Sequence, residues 1–185
     1  MLSQENRQIC QLFAEMLDYP GSGLRLAAKN CLIQLEHISP GIAKPVQSFS
    51  DFIDSQSLES LEELYTQTFD ITPATSLYMG YQMFGETPKR SVFLTELTEA
   101  YKALSFSTGI ELADHLSIML RFLSVAEDPE FTLPLIQECI LPTLEKTEKE
   151  LKKTKSEYAL VIEPLREFLR QVNNKLAKTG GAVNA

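Results

Sequence analysis

Apolar residues recur every three to four positions along almost the whole chain, and no convincing alternation appears before residue 70. Ile9, Leu12, Phe13, Met16 and Leu17 make one stripe, and Leu24, Ala27, Ala28, Cys31, Leu35 and Ile38 a second. Such spacing puts the apolar side chains on one face of a helix. Ser3 and Ser57 stand where N-caps are expected, Tyr19-Pro20-Gly21 and Pro40-Gly41 end helices, and Thr87-Pro88 starts one. Phe93, Leu97, Tyr101 and Leu104 fall in register after that start. Leu112, Leu116, Met119, Leu120 and Leu123 predict a further helix, opened by Glu111, Asp114 and His115. Segment 71–87 is the least regular part, with 76–84 either a short helix or an ordered loop. Pro142 predicts a kink, and the charged run 145–157, with Glu145–Lys149 and Glu148–Lys152 at i, i+4 spacing, predicts a solvated helix face. The expectation is an all-α, single-domain bundle of about eight to ten helices over residues 1–177. Residues 178–185, with Gly180-Gly181, are expected to form a flexible tail.

At 185 residues the chain can bury roughly 70% of its unfolded surface, so it needs no disulfide or metal to fold. Cys10, Cys31 and Cys139 are odd in number and far apart, with no C-x-x-C pair, which fits reduced thiols in the cytoplasm. The longest apolar run, Tyr158 to Ile162, is far short of a membrane span, and the start MLSQENRQ has no signal-peptide pattern. A net charge of −8 argues against nucleic acid. No Lys or Arg falls between Lys44 and Lys89, while Asp51, Asp54, Glu59, Glu62, Glu63, Asp70 and Glu86 do. That stretch is either an ordinary solvated acidic face or a field that attracts a basic peptide.

Enzymatic chemistry finds little to build on. The two histidines are His37, placed to cap a helix end at the surface, and His115. A metal-dependent helical hydrolase would need more imidazoles than Asp114-His115 supplies. No nucleophile with an adjacent base and no glycine-rich phosphate cradle is present, and the residues call for no bound cofactor. Locally, Asp114 could accept backbone N–H bonds at a helix start, with His115 a satisfied, partly buried neighbour. Tyr65, Tyr78, Tyr81 and Tyr101 are equally suited to a core or to a groove for an amphipathic peptide.

Tyr65-x-x-x-Phe69-Asp70, then Ser76-Leu77-Tyr78 and Phe84-Gly85, resembles the TorD, DmsD and NarJ group of cytoplasmic molybdoenzyme assembly chaperones. Glu111-Leu112-Ala113-Asp114-His115-Leu116, continuing to Leu120-Arg121-Phe122-Leu123, is similar to that group's Glu-x-x-Asp-His segment. Ser156-Glu157-Tyr158-Ala159 is similar to the start of its last helix. Met119 is apolar where the TorD and DmsD branches carry an acid, which makes the chain more like the NarJ branch. Ala113 replaces a proline common in the group, and Arg121 stands where an acidic residue is frequent.

The resemblance implies a chaperone and not an enzyme. It would bind the N-terminal region of an apo molybdoenzyme catalytic subunit, a nitrate reductase or a relative in the DMSO-reductase family. That region is often a twin-arginine leader or its remnant. The chaperone would hold the client ready for molybdenum cofactor insertion and delay its membrane attachment or export. Carried over residue by residue, the peptide site comprises Tyr65, Phe69, Asp70, Tyr78, Glu111, Asp114 and His115. Members of the group exchange helices between protomers, so the expectation covers a monomer or a domain-swapped dimer with 71–87 as hinge. The alternatives are a metal-dependent helical hydrolase and an adaptor that binds some other helix through the same groove.

Overall fold

The computed structural model describes residues 2–181, with side chains through 176. Its helices are α1 (Gln4–Met16), α2 (Leu24–Ile38), α3 (Ala43–Asp54), α4 (Leu58–Tyr65), α5 (Met79–Phe84), α6 (Pro88–Ala103), α7 (Leu116–Val125), α8 (Pro129–Pro134), α9 (Leu141–Thr154) and α10 (Ala159–Gly181). Wider π-helical turns extend α4 through Thr66–Asp70 and join α8 to α9 through Leu135–Ile140, and short 3₁₀ turns lie at Pro40–Ile42 and Pro73–Thr75. The fold is the all-α bundle that the apolar stripes predict. Ser3 and Ser57 are caps as expected, accepting the Asn6 and Ser60 N–H groups at 3.3 and 3.2 Å. Each satisfies a backbone donor that the helix itself leaves unpaired, worth about 1 kcal/mol.

Helix α7 is the centre. It packs along α1, which also packs on α2; α2 leans on α3, and α10 closes the other side against α3 and α9. Leu116, Met119, Leu120 and Leu123 have no solvent exposure, and Ile118 and Phe122 on the other faces are nearly as buried. A single buried stripe was expected here, but the helix is covered almost all round. It also starts later than Glu111. Residues 111–114 lie in turns after Gly109, whose φ of +65° breaks helical continuity, and His115 is the extended N-cap.

Pro142 does not produce an isolated kink. The irregularity lies just before it, in the Leu135–Ile140 π turn, and Pro142 sits in the first turn of α9, where its missing N–H costs least. Thr143 Oγ1 donates to the Cys139 carbonyl there (2.8 Å). The charged run 145–157 is only partly solvated. Lys149 and Glu145 pair in solvent as expected, but Glu148 is buried between Lys152 (2.7 Å) and Arg166 of α10 (2.6 Å). Burial pushes its carboxyl up, and the hydrogen bonds from Arg166 and Lys152 outweigh that, holding it below the usual glutamate value.

All three thiols are free and buried, and burial pushes Cys10 and Cys139 up to about 12. The α10 backbone continues through Gly181, into the segment expected as a tail; 182–185 lie outside the described residues. Among the described residues no helix is long and apolar enough to cross a membrane.

Candidate functional site

Two separated segments are joined by backbone. The Met79 N–H donates to the Asp114 carbonyl and the Leu116 N–H to the Leu77 carbonyl, both at 2.8 Å. This makes a single antiparallel bridge between Tyr78 and His115, whose rings meet edge to face at 5.1 Å. A second anchor is Tyr101 of α6, whose hydroxyl donates to the Ala113 carbonyl (2.8 Å). The turn before α7 is therefore tied to α5 on one side and to α6 on the other.

Over this bridge lies a hollow of about 190 Å³ lined by Asp18, Tyr19, Tyr65, Asp70, Tyr78, Glu111, His115, Ser117 and Ile118. Five of the seven residues expected at the site are here: Tyr65, Asp70, Tyr78, Glu111 and His115. Phe69 and Asp114 are not on its wall. Phe69 is buried behind it, edge to face with Tyr65 (5.1 Å) and Tyr158 (4.6 Å), and braces the rings that are on the wall.

Asp114 has no solvent exposure. Its carboxylate takes Arg90 of α6 through both oxygens, Oδ2 to Nε at 2.9 Å and Oδ1 to the outer nitrogen at 3.3 Å. The guanidinium lies 5.7 Å from the ring centres of both Tyr78 and Tyr81. Asp114 is therefore not the helix cap that its position before α7 suggests. His115 fills that place, because its Nδ1 accepts the Ser117 N–H at 3.3 Å. A ring nitrogen that accepts a backbone N–H carries no proton, so the neutral imidazole holds its proton on Nε2. Burial pushes the His115 pKa below its ordinary value; Glu111, Asp18 and Asp114 pull the other way, and Arg121 adds to the lowering.

The hollow is strongly acidic. Tyr78 donates its hydroxyl to Glu111 Oε1 (2.9 Å), and the Leu112 N–H falls on the same oxygen (2.9 Å), which leaves Oε2 for a ligand. Partial burial, the bond to Glu111 and the negative charges of Glu111, Asp114 and Asp70 push Tyr78 up to about 12. Tyr65 donates to the Leu17 carbonyl (3.1 Å), the last turn of α1. Asp18 follows that helix end and Asp70 ends the π turn after α4, so both acids sit at negative ends of helix dipoles. Asp18 is held by a bidentate pair with Arg121, and Asp70 is exposed. Tyr19, 56% exposed, stands edge to face with Tyr65 at 5.5 Å and forms an aromatic lip. The arrangement suits a cationic head whose apolar stem lies between tyrosine rings. Among the described residues no three His, Cys, Asp or Glu side chains converge as metal ligands.

Asp18, Tyr19, Ser117 and Ile118 on the wall and Arg90 behind it carry no local sequence signal of a site. Tyr19-Pro20 carried only a stop signal for α1. The one hint was Arg121, a basic residue in an unusual place, whose partner is Asp18.

The family model of the nitrate reductase delta subunit matches residues 35–177. The chain belongs to that family. This delta-subunit-family chain is 32% identical over 114 residues to the "Probable nitrate reductase molybdenum cofactor assembly chaperone NarJ" of Bacillus subtilis (strain 168), a match over 60% of the chain and 62% of the relative. The chain thus spans somewhat less than two thirds of that relative's length. Among solved structures it is similar to an Archaeoglobus fulgidus protein described as a redox enzyme maturation protein, with a TM-score of 0.61 and 21% identity over 89% of this chain and 93% of the other. At that identity the likeness establishes a shared fold. The family assignment agrees with the resemblance carried by the Tyr65–Phe84 and Glu111–Leu123 segments.

Proposed function

We propose that this chain is a cytoplasmic assembly chaperone for a nitrate reductase. It takes the N-terminal peptide of the apo catalytic subunit, sets a basic residue of that peptide in the acidic hollow and performs no reaction of its own. The client then remains accessible for molybdenum cofactor insertion before it reaches its membrane partner, whether or not the peptide is a working twin-arginine leader. The observation that carries this reading is the convergence of Asp18, Asp70 and Glu111 with Tyr19, Tyr65 and Tyr78 around one small opening. Charge-assisted hydrogen bonds orient a Lys, Arg or amino terminus there, and the rings hold its stem. Family membership and the name of the Bacillus relative support the choice of client.

The test is calorimetry with a synthetic peptide of the amino-terminal residues of the host's nitrate reductase catalytic subunit. Glu111→Gln and Asp70→Asn should each weaken binding by about 1.5–3 kcal/mol, the range for hydrogen bonds to charged groups, with helix content unchanged. Replacing the peptide's basic residues by Gln should produce the same loss. Wild-type affinity in the double variant would remove the acidic hollow from the account.

A further inference from the structure

The Asp18–Arg121 ion pair stands between the acidic hollow and a second, polar depression. Asp18 lines the hollow, while Arg121 lines a depression of about 320 Å³ with Gln11, Glu15 and Ser124 among its walls, and the two spaces share no lining residue. Helix α7 explains the placement. Ser117 on the hollow's wall and Arg121 are four residues apart, one turn along the same face of the helix. From there the guanidinium holds both oxygens of Asp18, Nη1 donating to Oδ1 at 3.1 Å and Nη2 to Oδ2. Both side chains reach water, Arg121 at 31% and Asp18 at 38% exposure, so the pair is worth little to folding. It matters to the hollow, where Asp18 is one of three carboxylates and no Lys or Arg is on the wall. The charge of Arg121 is felt there, since it helps to lower the His115 pKa. On the other side Glu15 is exposed, and among the described residues it has no ion pair.

We propose that Arg121 is an internal competitor for the ligand of the acidic hollow: its guanidinium occupies Asp18 in the free chain and withdraws toward Glu15 when a ligand cation takes its place. This rests on the function proposed above and adds to it a residue that sets how tightly the cation is held. Arg121 makes with Asp18 the forked, charge-assisted contact that a ligand guanidinium would make. Entry of a ligand exchanges one such contact for another, so the net gain from Asp18 is small while Arg121 competes. Glu15 offers the displaced guanidinium a second carboxylate in a space that is already open. Asp70 and Glu111 then supply most of the affinity, and Asp18 yields only to a cation that binds it at least as well as Arg121 does.

The probe is the tripeptide acetyl-Leu-Arg-Leu-amide, with acetyl-Leu-Gln-Leu-amide as the uncharged control, titrated against the full chain by amide NMR. Arg121→Gln removes the competitor. Arg121→Lys keeps its charge but not its fork, and Arg170→Gln removes an arginine that pairs with Glu167 on α10. The arginine probe is expected to bind Arg121→Gln about fivefold more tightly than wild type, the worth of a half-exposed ion pair. Arg121→Lys should show a smaller gain and Arg170→Gln none, and the glutamine probe should bind none of them. In wild type the arginine probe should also move the amide signals of Glu15 and Ser124, which lie across the ion pair from the hollow, and in Arg121→Gln it should leave them in place. Unchanged or weaker binding in Arg121→Gln overturns the proposal, because Arg121 is then a strut or a ligand contact. A gain in Arg121→Gln with none in Arg121→Lys overturns it too, by reducing the effect to a long-range field, as does an equal gain in Arg170→Gln. The proposed function survives those results as long as Glu111→Gln weakens binding of the arginine probe. If Glu111→Gln has no effect, the hollow is not the site and both readings fall.

Discussion

Replacing Asp114 by Asn tests whether this carboxylate is a strut or a ligand contact. The substitution keeps the shape and removes the charge that faces Arg90. Asp114 is fully buried and Arg90's side chain is 19% exposed, with two hydrogen bonds between them at 2.9 and 3.3 Å. Breaking a buried pair by removing one partner costs about 3–5 kcal/mol, because the other charge is left uncompensated. Arg90 keeps some water and two tyrosine faces, which places the cost at the low end, about 3 kcal/mol. With a urea slope of about 2 kcal/mol/M, the unfolding midpoint followed by circular dichroism should fall by about 1.5 M with the slope unchanged. Asp114→Leu combined with Arg90→Met should recover most of the loss, since an apolar pair of similar volume needs no compensation. Client-peptide affinity per folded molecule should change little in Asp114→Asn, as the side chain is not on the hollow's wall. An unchanged midpoint together with lost peptide binding would refute the reasoning and put the carboxylate in direct contact with the peptide.

Gly80→Ala should destabilise by about 1–3 kcal/mol, the usual cost of overpacking. An added Cβ would stand 2.7 Å from Asp114 Oδ2 and 2.9 Å from Phe93 Cδ1, and a wild-type thermal melt would show that the pair can shift aside. His115 is neutral in the folded chain with its pKa lowered by burial, so the unfolded chain takes up the proton first as pH falls below about 6.5. Its contribution is complete above that value and is lost as pH falls toward the folded pKa. His115→Asn, which keeps a cap acceptor, should thus close on wild-type stability between pH 7.5 and 5.5, and a gap constant with pH would contradict the assignment. Cys10, Cys31 and Cys139 are all buried with raised pKa values. A thiol reagent should react no faster than the chain unfolds, and a burst of labelling in native buffer would contradict their placement.

The helices were legible because their signal is local. Ser3, the Ile9–Leu17 stripe and Thr87-Pro88 each announce themselves within a few residues. What was not legible is pairing over distance. Asp18 and Arg121 are 103 positions apart, and nothing near Asp18 distinguishes a site residue from a charge after a helix end. Arg90 looks like one more polar residue in the first turn of α6, yet it neutralises the most buried carboxylate of the site. The start of α7 lies at Leu116 and not at Glu111 for a related reason. An acid just before an apolar run is a good cap by type, and only the tertiary demand of Arg90 turns Asp114 inward and leaves the capping to a histidine.

The seven residues carried over as one binding set divide accordingly. Tyr65, Asp70, Tyr78, Glu111 and His115 present atoms to the hollow, while Phe69 and Asp114 hold two of those rings in place, Phe69 by edge contact with Tyr65 and Asp114 through the guanidinium beside Tyr78. Substituting either kind lowers total binding, a strut by unfolding part of the chain, so binding uncorrected for the folded fraction does not separate them. Stability does. A wall residue such as Glu111, half exposed, can lose its charge with little cost to folding, whereas a strut such as Asp114 cannot. The acidic hollow thus owes its negative charge to side chains at the surface and its geometry to one ion pair beneath it.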